Sequence, residues 1–356
     1  VVAAANGRPE AKTTIFADVW QTHNDKAVNS GKIPAVVPLR AFIDDHDGNS
    51  FVWVPPRLHH TRTAPMGLLV IVTMLWAFSF SLIGEFLSGN VDSDFAVLTR
   101  VTLAALMFLP FTFWRGIPRP LIAGIMLCGA LQFGITYALM YRSFSILTVP
   151  EVLLFTIFTP LYVTLIDDAL NRRFSPRALI AAAIATLGAA VIRYDGLSQD
   201  YLTGFLILQV ANITFAAGQV GYKHLMRRWP VAIPPWRTFG HFFIGAFIIA
   251  LPSFMIFGNS QMLPDNSLHW GILAWLGIVA SGGGLYLWNR GACDVDAGTL
   301  AVMNNALVPA GLVVNLAIWG HDEPVLPLIM GGGIIALSLW VNSRFKRRPL
   351  SRPQIQ

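Results

Sequence analysis

Charge is what this chain has least of. Only 12% of its 356 residues are Asp, Glu, Lys or Arg, against about 25% in a soluble globular domain. So little polar surface excludes an ordinary cytosolic enzyme and a disordered chain. Cysteine is almost missing too. Cys128 and Cys293 are the two present, in or beside different apolar runs. That excludes a disulfide scaffold and makes both expected packed thiols. No His-Glu-x-x-His zinc pattern, nucleophile elbow or Walker glycine loop occurs. Without an ATP site, transport of any kind must run on gradients. The glycine runs Gly282-Gly-Gly and Gly331-Gly-Gly do not open a helix after a strand, so they read as close-packing glycines. No metal, cofactor or enzymatic activity is expected.

What the chain does have is apolar length: 54% of its residues are hydrophobic. It reads as an all-α integral membrane protein. The net charge of +6 would suggest nucleic acid in a soluble chain. Here the cations sit in short segments between apolar runs, where they set membrane orientation. The expected surroundings are therefore the lipid bilayer and a small-molecule substrate, with no nucleic acid.

Residues 1–65 are polar, mixed in charge and punctuated by Gly and Pro, with no stretch long enough for a signal peptide or a span. The first methionine is Met66. The segment before it is expected to be disordered or to lie upstream of the true translation start. From Met66 the apolar runs predict ten spans: Gly67–Leu87, Phe95–Trp114, Leu121–Tyr141, Val149–Asp167, Ala178–Ile192, Tyr201–Leu225, Phe239–Phe257, Leu268–Arg290, Ala297–Gly320 and Val325–Val341. The organisation is a repeat over 66–194, a second over 201–342, and a basic tail over 343–356.

Orientation follows from the cations. With the end before Gly67 in the cytoplasm, that side receives Arg115, Arg119, Arg172, Arg173, Arg177, Arg227, Arg228 and the tail arginines and lysine, whereas the other receives Arg142 and Arg193. Both termini are expected in the cytoplasm. The ten spans also fall into two fives. Arg100 aligns with Arg237, Tyr141-Arg142 with Asn289-Arg290, and Pro160 with Pro309. An odd number of spans per half inverts the second half, the arrangement of secondary transporters that work by alternating access.

Several motifs carry a resemblance over nearly all of this region. They include Trp76-Ala-Phe-Ser-Phe-Ser, Val91-Asp-Ser, Leu147-Thr-Val, Glu151-Val-Leu-Leu-Phe-Thr, Thr159-Pro-Leu-Tyr and Ile192-Arg-Tyr-Asp. Asn212-Ile-Thr-Phe-Ala, Val220-Gly-Tyr-Lys, Val295-Asp-Ala-Gly-Thr-Leu, Met303-Asn-Asn and the run from Val308 to Trp319 complete the set. The chain resembles the drug/metabolite transporter superfamily in its EamA-type ten-helix branch. Within that branch it looks like the bacterial inner-membrane biotin transporters, also labelled carboxylate/amino acid/amine transporters. It departs from the wider superfamily at Ala169-Leu-Asn-Arg-Arg, where a Gly-Glu-Arg-like turn is common. The resemblance implies biotin uptake across the bacterial inner membrane. The rival function is export of amino acids, carboxylates, amines or amphipathic metabolites and drugs, with a membrane-embedded enzyme behind both.

A polar group inside a span needs a reason, since insertion of an arginine or aspartate costs about 2.5–3.5 kcal/mol. Arg100, in the second span, either holds a substrate carboxylate, for which biotin's valerate would suit, or is a paired or snorkelling arginine. Glu151 is a gate or proton site paired with Arg142 or Arg100, or else a helix-start acid favoured by the dipole. Asp294 and Asp296, beside Arg290, play the matching part at the other side. The central candidates are uncharged. Asn304 and Asn305 stand near Pro309, which cannot donate to the Asn305 carbonyl; Asn212 and Gln219 share a face; Trp76 and Ser79 lie at the matching depth; and Tyr286 adds a hydroxyl. For each the alternative is interhelical packing. His241 reads as a packing histidine.

Overall fold

A chain inside lipid must pair its backbone N–H and C=O groups within itself, which for this composition leaves bundled helices. The computed structural model describes residues 63–172, 199–229 and 233–319, with isolated positions between 174 and 187 and between 330 and 340. The described residues form helices and turns, with no strand among them. Eight helices are long and apolar enough to cross a membrane: Met66–Leu87, Ser93–Phe111, Arg119–Ser143, Glu151–Leu170, Leu202–Arg228, Pro235–Phe257, Ser267–Asp294 and Ala297–Ile318. They match the first to fourth and sixth to ninth expected spans, with ends displaced by a few residues. The fifth and tenth spans fall largely outside the described residues, and so do 1–62 and the tail.

Side chains mark where several spans begin. Asp92 accepts from the Phe95 N–H, Asn266 from the His269 N–H and Asp296 from the Thr299 N–H. Each satisfies one of the donors that an N-terminus leaves free.

The second and seventh spans reveal how the halves are related. The Phe113 N–H donates to the Arg237 carbonyl at 2.8 Å, which ties the end of the second span to the start of the seventh. At the opposite end the Asp92 N–H donates to the Met262 carbonyl at 2.7 Å, and the Asp92 carboxylate accepts from the Asn259 N–H at 3.1 Å. These spans hold the same place in their halves yet run antiparallel, so one half is inverted. Packing repeats the relation: the first span lies against the eighth and ninth, as the sixth lies against the third and fourth. The second span also packs on the eighth, as the seventh does on the third.

Several spans depart from regular α-helix in matching places. Wide turns interrupt the third at Ala130–Ile135 and the eighth at Leu276–Gly283. The fourth tightens at Thr156–Phe158 ahead of Pro160, and the ninth breaks at Ala306 ahead of Pro309. Proline has no N–H and crowds the turn before it, which accounts for both breaks. Cys128 and Cys293 are free thiols, the first buried.

The third and seventh spans touch backbone to backbone. A Cβ on Gly129 would collide with the Phe242 carbonyl, and one on Gly245 with the Met126 carbonyl. Main-chain atoms cannot rotate aside as side chains do. Gly245→Ala is therefore expected to destabilise the protein by about 1–3 kcal/mol. Gly271→Ala, with nothing within 4 Å of the added atom, is expected to leave the melting temperature in detergent unchanged.

Candidate functional site

Between the halves lies a narrow cavity of about 60 Å³, smaller than the roughly 300–1,000 Å³ of an open small-molecule site. The first, third and fourth spans line it, together with their counterparts the sixth, eighth and ninth. Thr73 and Leu208 each stand about two turns into the first and sixth spans, and Tyr137 and Trp288 sit late in the third and eighth. Because the halves are antiparallel, these similar distances from opposite ends centre the cavity about the middle of the spans.

Much of the wall is aromatic. Trp76 lies 4.9 Å from Trp288 and 5.9 Å from Phe215, measured between ring centres. The Trp76 indole N–H donates to the Ala280 carbonyl at 3.0 Å, which holds the ring in place. Polar groups interrupt the wall at Asn212, Asn304, Tyr137 and four threonines. Asn212 donates to the Phe155 carbonyl at 2.7 Å, next to the break in the fourth span.

Arg100 lies beside this wall, 1% exposed. Its Nε donates to the Ser281 hydroxyl at 3.0 Å and its Nη1 to the Tyr141 hydroxyl at 2.6 Å. The guanidinium carbon stands 4.7 Å from the centre of the Tyr137 ring, and Tyr137 lines the cavity. No carboxylate among the described residues pairs with it. Arg237, its alignment partner, is placed differently: it stacks on Phe113 and Trp236 at the start of the seventh span. The match of Arg100 with Arg237 in the sequence is thus one of register, not of environment.

The expected site residues divide. Trp76, Asn212 and Asn304 line the cavity. Gln219 sits one layer back, accepting from the Trp288 indole N–H at 2.8 Å and donating to Asn304 Oδ1 at 3.4 Å. Asn305 is turned away: it donates to the Ile157 carbonyl at 3.1 Å and braces the broken fourth span against the broken ninth. Ser79 bonds within its own helix to the Leu75 carbonyl. Tyr286 packs on Phe108 and Phe239, away from the cavity. His241 contacts the Phe113 carbonyl and the Trp114 ring, a packing role.

The expected gate pairing is rearranged. Glu151 accepts from the N–H and hydroxyl of Thr148, a helix-start acid, and meets neither Arg142 nor Arg100. Arg142 instead pairs with Asp94 at 2.8 Å and with the Ser253 hydroxyl at 3.1 Å, while Ser253 donates to Asp94 at 2.6 Å. This clamp joins the third, second and seventh spans. At the opposite end Arg290 pairs with Asp294 within one helix at 3.3 Å, and Asp296 caps the ninth span.

The buried Lys223 also lies at that end, donating to the Val295 carbonyl at 2.8 Å between the eighth and ninth spans. Asp94, Ser253, Lys223, Tyr137 and Trp288 escaped the sequence reading. Lys223 was visible as a lone cation inside an apolar run, and Asp94 as a second acid in a helix's first turn. Tyr137 and Trp288 carried no signal separating them from core aromatics.

Comparison with known proteins places this geometry in a family. The EamA-like transporter family model matches twice in tandem, over residues 64–194 and 202–344. A probable biotin transporter of Pseudomonas aeruginosa PAO1 is 58% identical over 283 residues, covering 80% of this chain and 99% of that protein. The biotin transporters of Escherichia coli K12 and Salmonella typhimurium LT2 are each 51% identical over 282 residues, covering 79% of this chain and 93% of theirs. A solved crystal structure at 18% identity superposes with a TM-score of 0.65, covering 81% of this chain and 100% of that one, a likeness of fold.

The clamp makes a prediction. Asp94→Ala strands the Arg142 guanidinium and Arg142→Ala strands the Asp94 carboxylate, so the effects of the two should not add. A double-mutant cycle on thermal stability is expected to give a coupling of about 0.5–3 kcal/mol.

Proposed function

The chain belongs to the EamA-like transporter family, and from that premise we propose that it takes up biotin across the bacterial inner membrane by alternating access. The relatives' names support the substrate, and the distribution of cations supports a cytoplasmic location for both termini. The observation that carries the proposal is Arg100. A buried guanidinium held by two hydroxyls and aromatic faces, with no acid partner among the described residues, lies beside an aromatic-walled cavity. An unneutralised cation in a span is costly. A ligand carboxylate arriving past Tyr137 supplies the missing anion through charge-assisted hydrogen bonds, and the indoles Trp76 and Trp288, packed on each other, give a compact bicyclic ring one aromatic wall.

The two ends of the bundle suit gating. The clamp of Arg142, Asp94 and Ser253 closes one end, while Lys223 with the Arg290–Asp294 pair and Asp296 marks the other. Rocking one half against the other loads the Ser253 contacts, which are the part of the clamp that crosses between the halves. Asn305 acts as the brace that keeps the two broken spans together during that motion. Export of a simple amine fits less well, because it brings a second cation and no anion to Arg100.

Labelled biotin uptake in a biotin-auxotrophic strain deleted for its own transporter tests this reading. The wild-type chain is expected to restore uptake. Arg100→Ala is expected to raise KM at least about tenfold, the equivalent of 1.4 kcal/mol. Arg100→Lys is expected to recover only part of it, since the ammonium lacks the fork. Uptake that is absent, or indifferent to Arg100, overturns the reading.

A further inference from the structure

A side-chain amide has two ends of opposite hydrogen-bonding sense, and which one faces a cavity decides what the cavity accepts. At two positions here one-way partners settle the question. Asn212 directs its nitrogen at the Phe155 carbonyl, 2.7 Å away, and at Gln209 Oε1, 3.4 Å away. A backbone carbonyl can only accept, so the nitrogen must face Phe155 and the oxygen is left toward the cavity, which Asn212 lines.

Asn304 is set by a longer chain. Its nitrogen donates to the Leu300 carbonyl at 2.7 Å, again an obligate acceptor. Behind it the Trp288 indole, which can only donate, takes Gln219 Oε1 at 2.8 Å. Gln219 is thereby forced to turn its nitrogen to Asn304 Oδ1, at 3.4 Å. Two independent constraints fix the same sense, and the long contact to Gln219 leaves Asn304 Oδ1 capacity for a ligand donor.

The cavity is therefore polarised. The sixth and ninth spans each contribute a lining asparagine whose nitrogen is turned to a backbone carbonyl, which leaves its oxygen for a ligand donor. We propose that Asn212 and Asn304 are a pair of acceptors that select a ligand ring bearing two N–H donors, as a cyclic urea does, with Trp288 acting through Gln219 as a positioning residue. The inference rests on the biotin reading above. It assigns the ureido end of the ligand to these two amides and leaves the carboxylate end to Arg100. A ring without the donors leaves the amide oxygens unpaired, the situation in which discrimination is strongest.

The test measures inhibition of labelled biotin uptake by three competitors: unlabelled biotin, desthiobiotin, which keeps the cyclic urea, and biotin methylated on its ureido nitrogens. For the wild type, desthiobiotin is expected to compete well and the methylated compound at least about tenfold more weakly than biotin. Asn212→Leu and Asn304→Leu are each expected to raise the biotin KM and shrink that ratio toward one. Trp288→Phe keeps the aromatic wall but frees Gln219 to turn. Because the Leu300 carbonyl still holds Asn304, this variant is expected to lower the ratio only in part. The ratio is read only from protein that transports, so loss of folding does not mimic the effect. An unchanged ratio in a transporting asparagine variant overturns the proposal, as does a wild type that takes up biotin yet does not discriminate. A wild type without biotin uptake overturns the underlying reading instead.

Discussion

Backbone groups released inside lipid must find a partner, because no water is there to supply one. This chain releases them deliberately. Pro160 and Pro309 break the fourth and ninth spans, and the carbonyls exposed near the first break are taken by side-chain amides from other spans: Phe155 by Asn212 and Gln209, Ile157 by Asn305. Each amide that satisfies a stray carbonyl also fixes its own orientation. The repair of the fourth span thus aims one polar group at the cavity and binds the two halves through another.

Inversion turns this local repair into a two-ended device. Because the second and seventh spans run antiparallel with both ends hydrogen-bonded, the helix breaks and wide turns of the third and fourth spans recur upside down in the eighth and ninth. Broken spans, wide turns and lining residues all meet midway along the spans. The ends are not copies of each other. One is held by an ion pair joining three spans, the other by a buried lysine on a backbone carbonyl and a pair within a single helix. Such inequality lets the two closed forms differ in stability while the centre stays symmetric in outline.

The division of labour among polar residues could not be judged by type alone. Asn304 and Asn305 are neighbours with the same side chain, yet one lines the cavity and the other braces the fourth span. Arg100 and Arg142 are both arginines within spans, but Arg142 has an acid and Arg100 has hydroxyls and rings. Successive helix residues point about 100° apart, so adjacent positions meet different neighbours. Packing amides and binding amides draw on the same residue types, which is why Ser79, Tyr286 and Glu151 looked as eligible in the sequence as Asn212 did.

What the sequence determined alone is what depends on composition and one-dimensional spacing. Sparse charge and long apolar runs set the membrane class and the place of each described span. The recurrence of Pro160 at Pro309 and of Tyr141-Arg142 at Asn289-Arg290 disclosed the two halves. What only the tertiary structure decided is which groups meet and which way they face: the Asp94–Arg142 clamp, the surroundings of Arg100 without an acid among the described residues, and the amide nitrogens of Asn212 and Asn304 turned to backbone carbonyls. Those outcomes depend on the rotation of each helix about its axis and on one-way donors and acceptors from distant segments, and neither is written in the spacing of a single run.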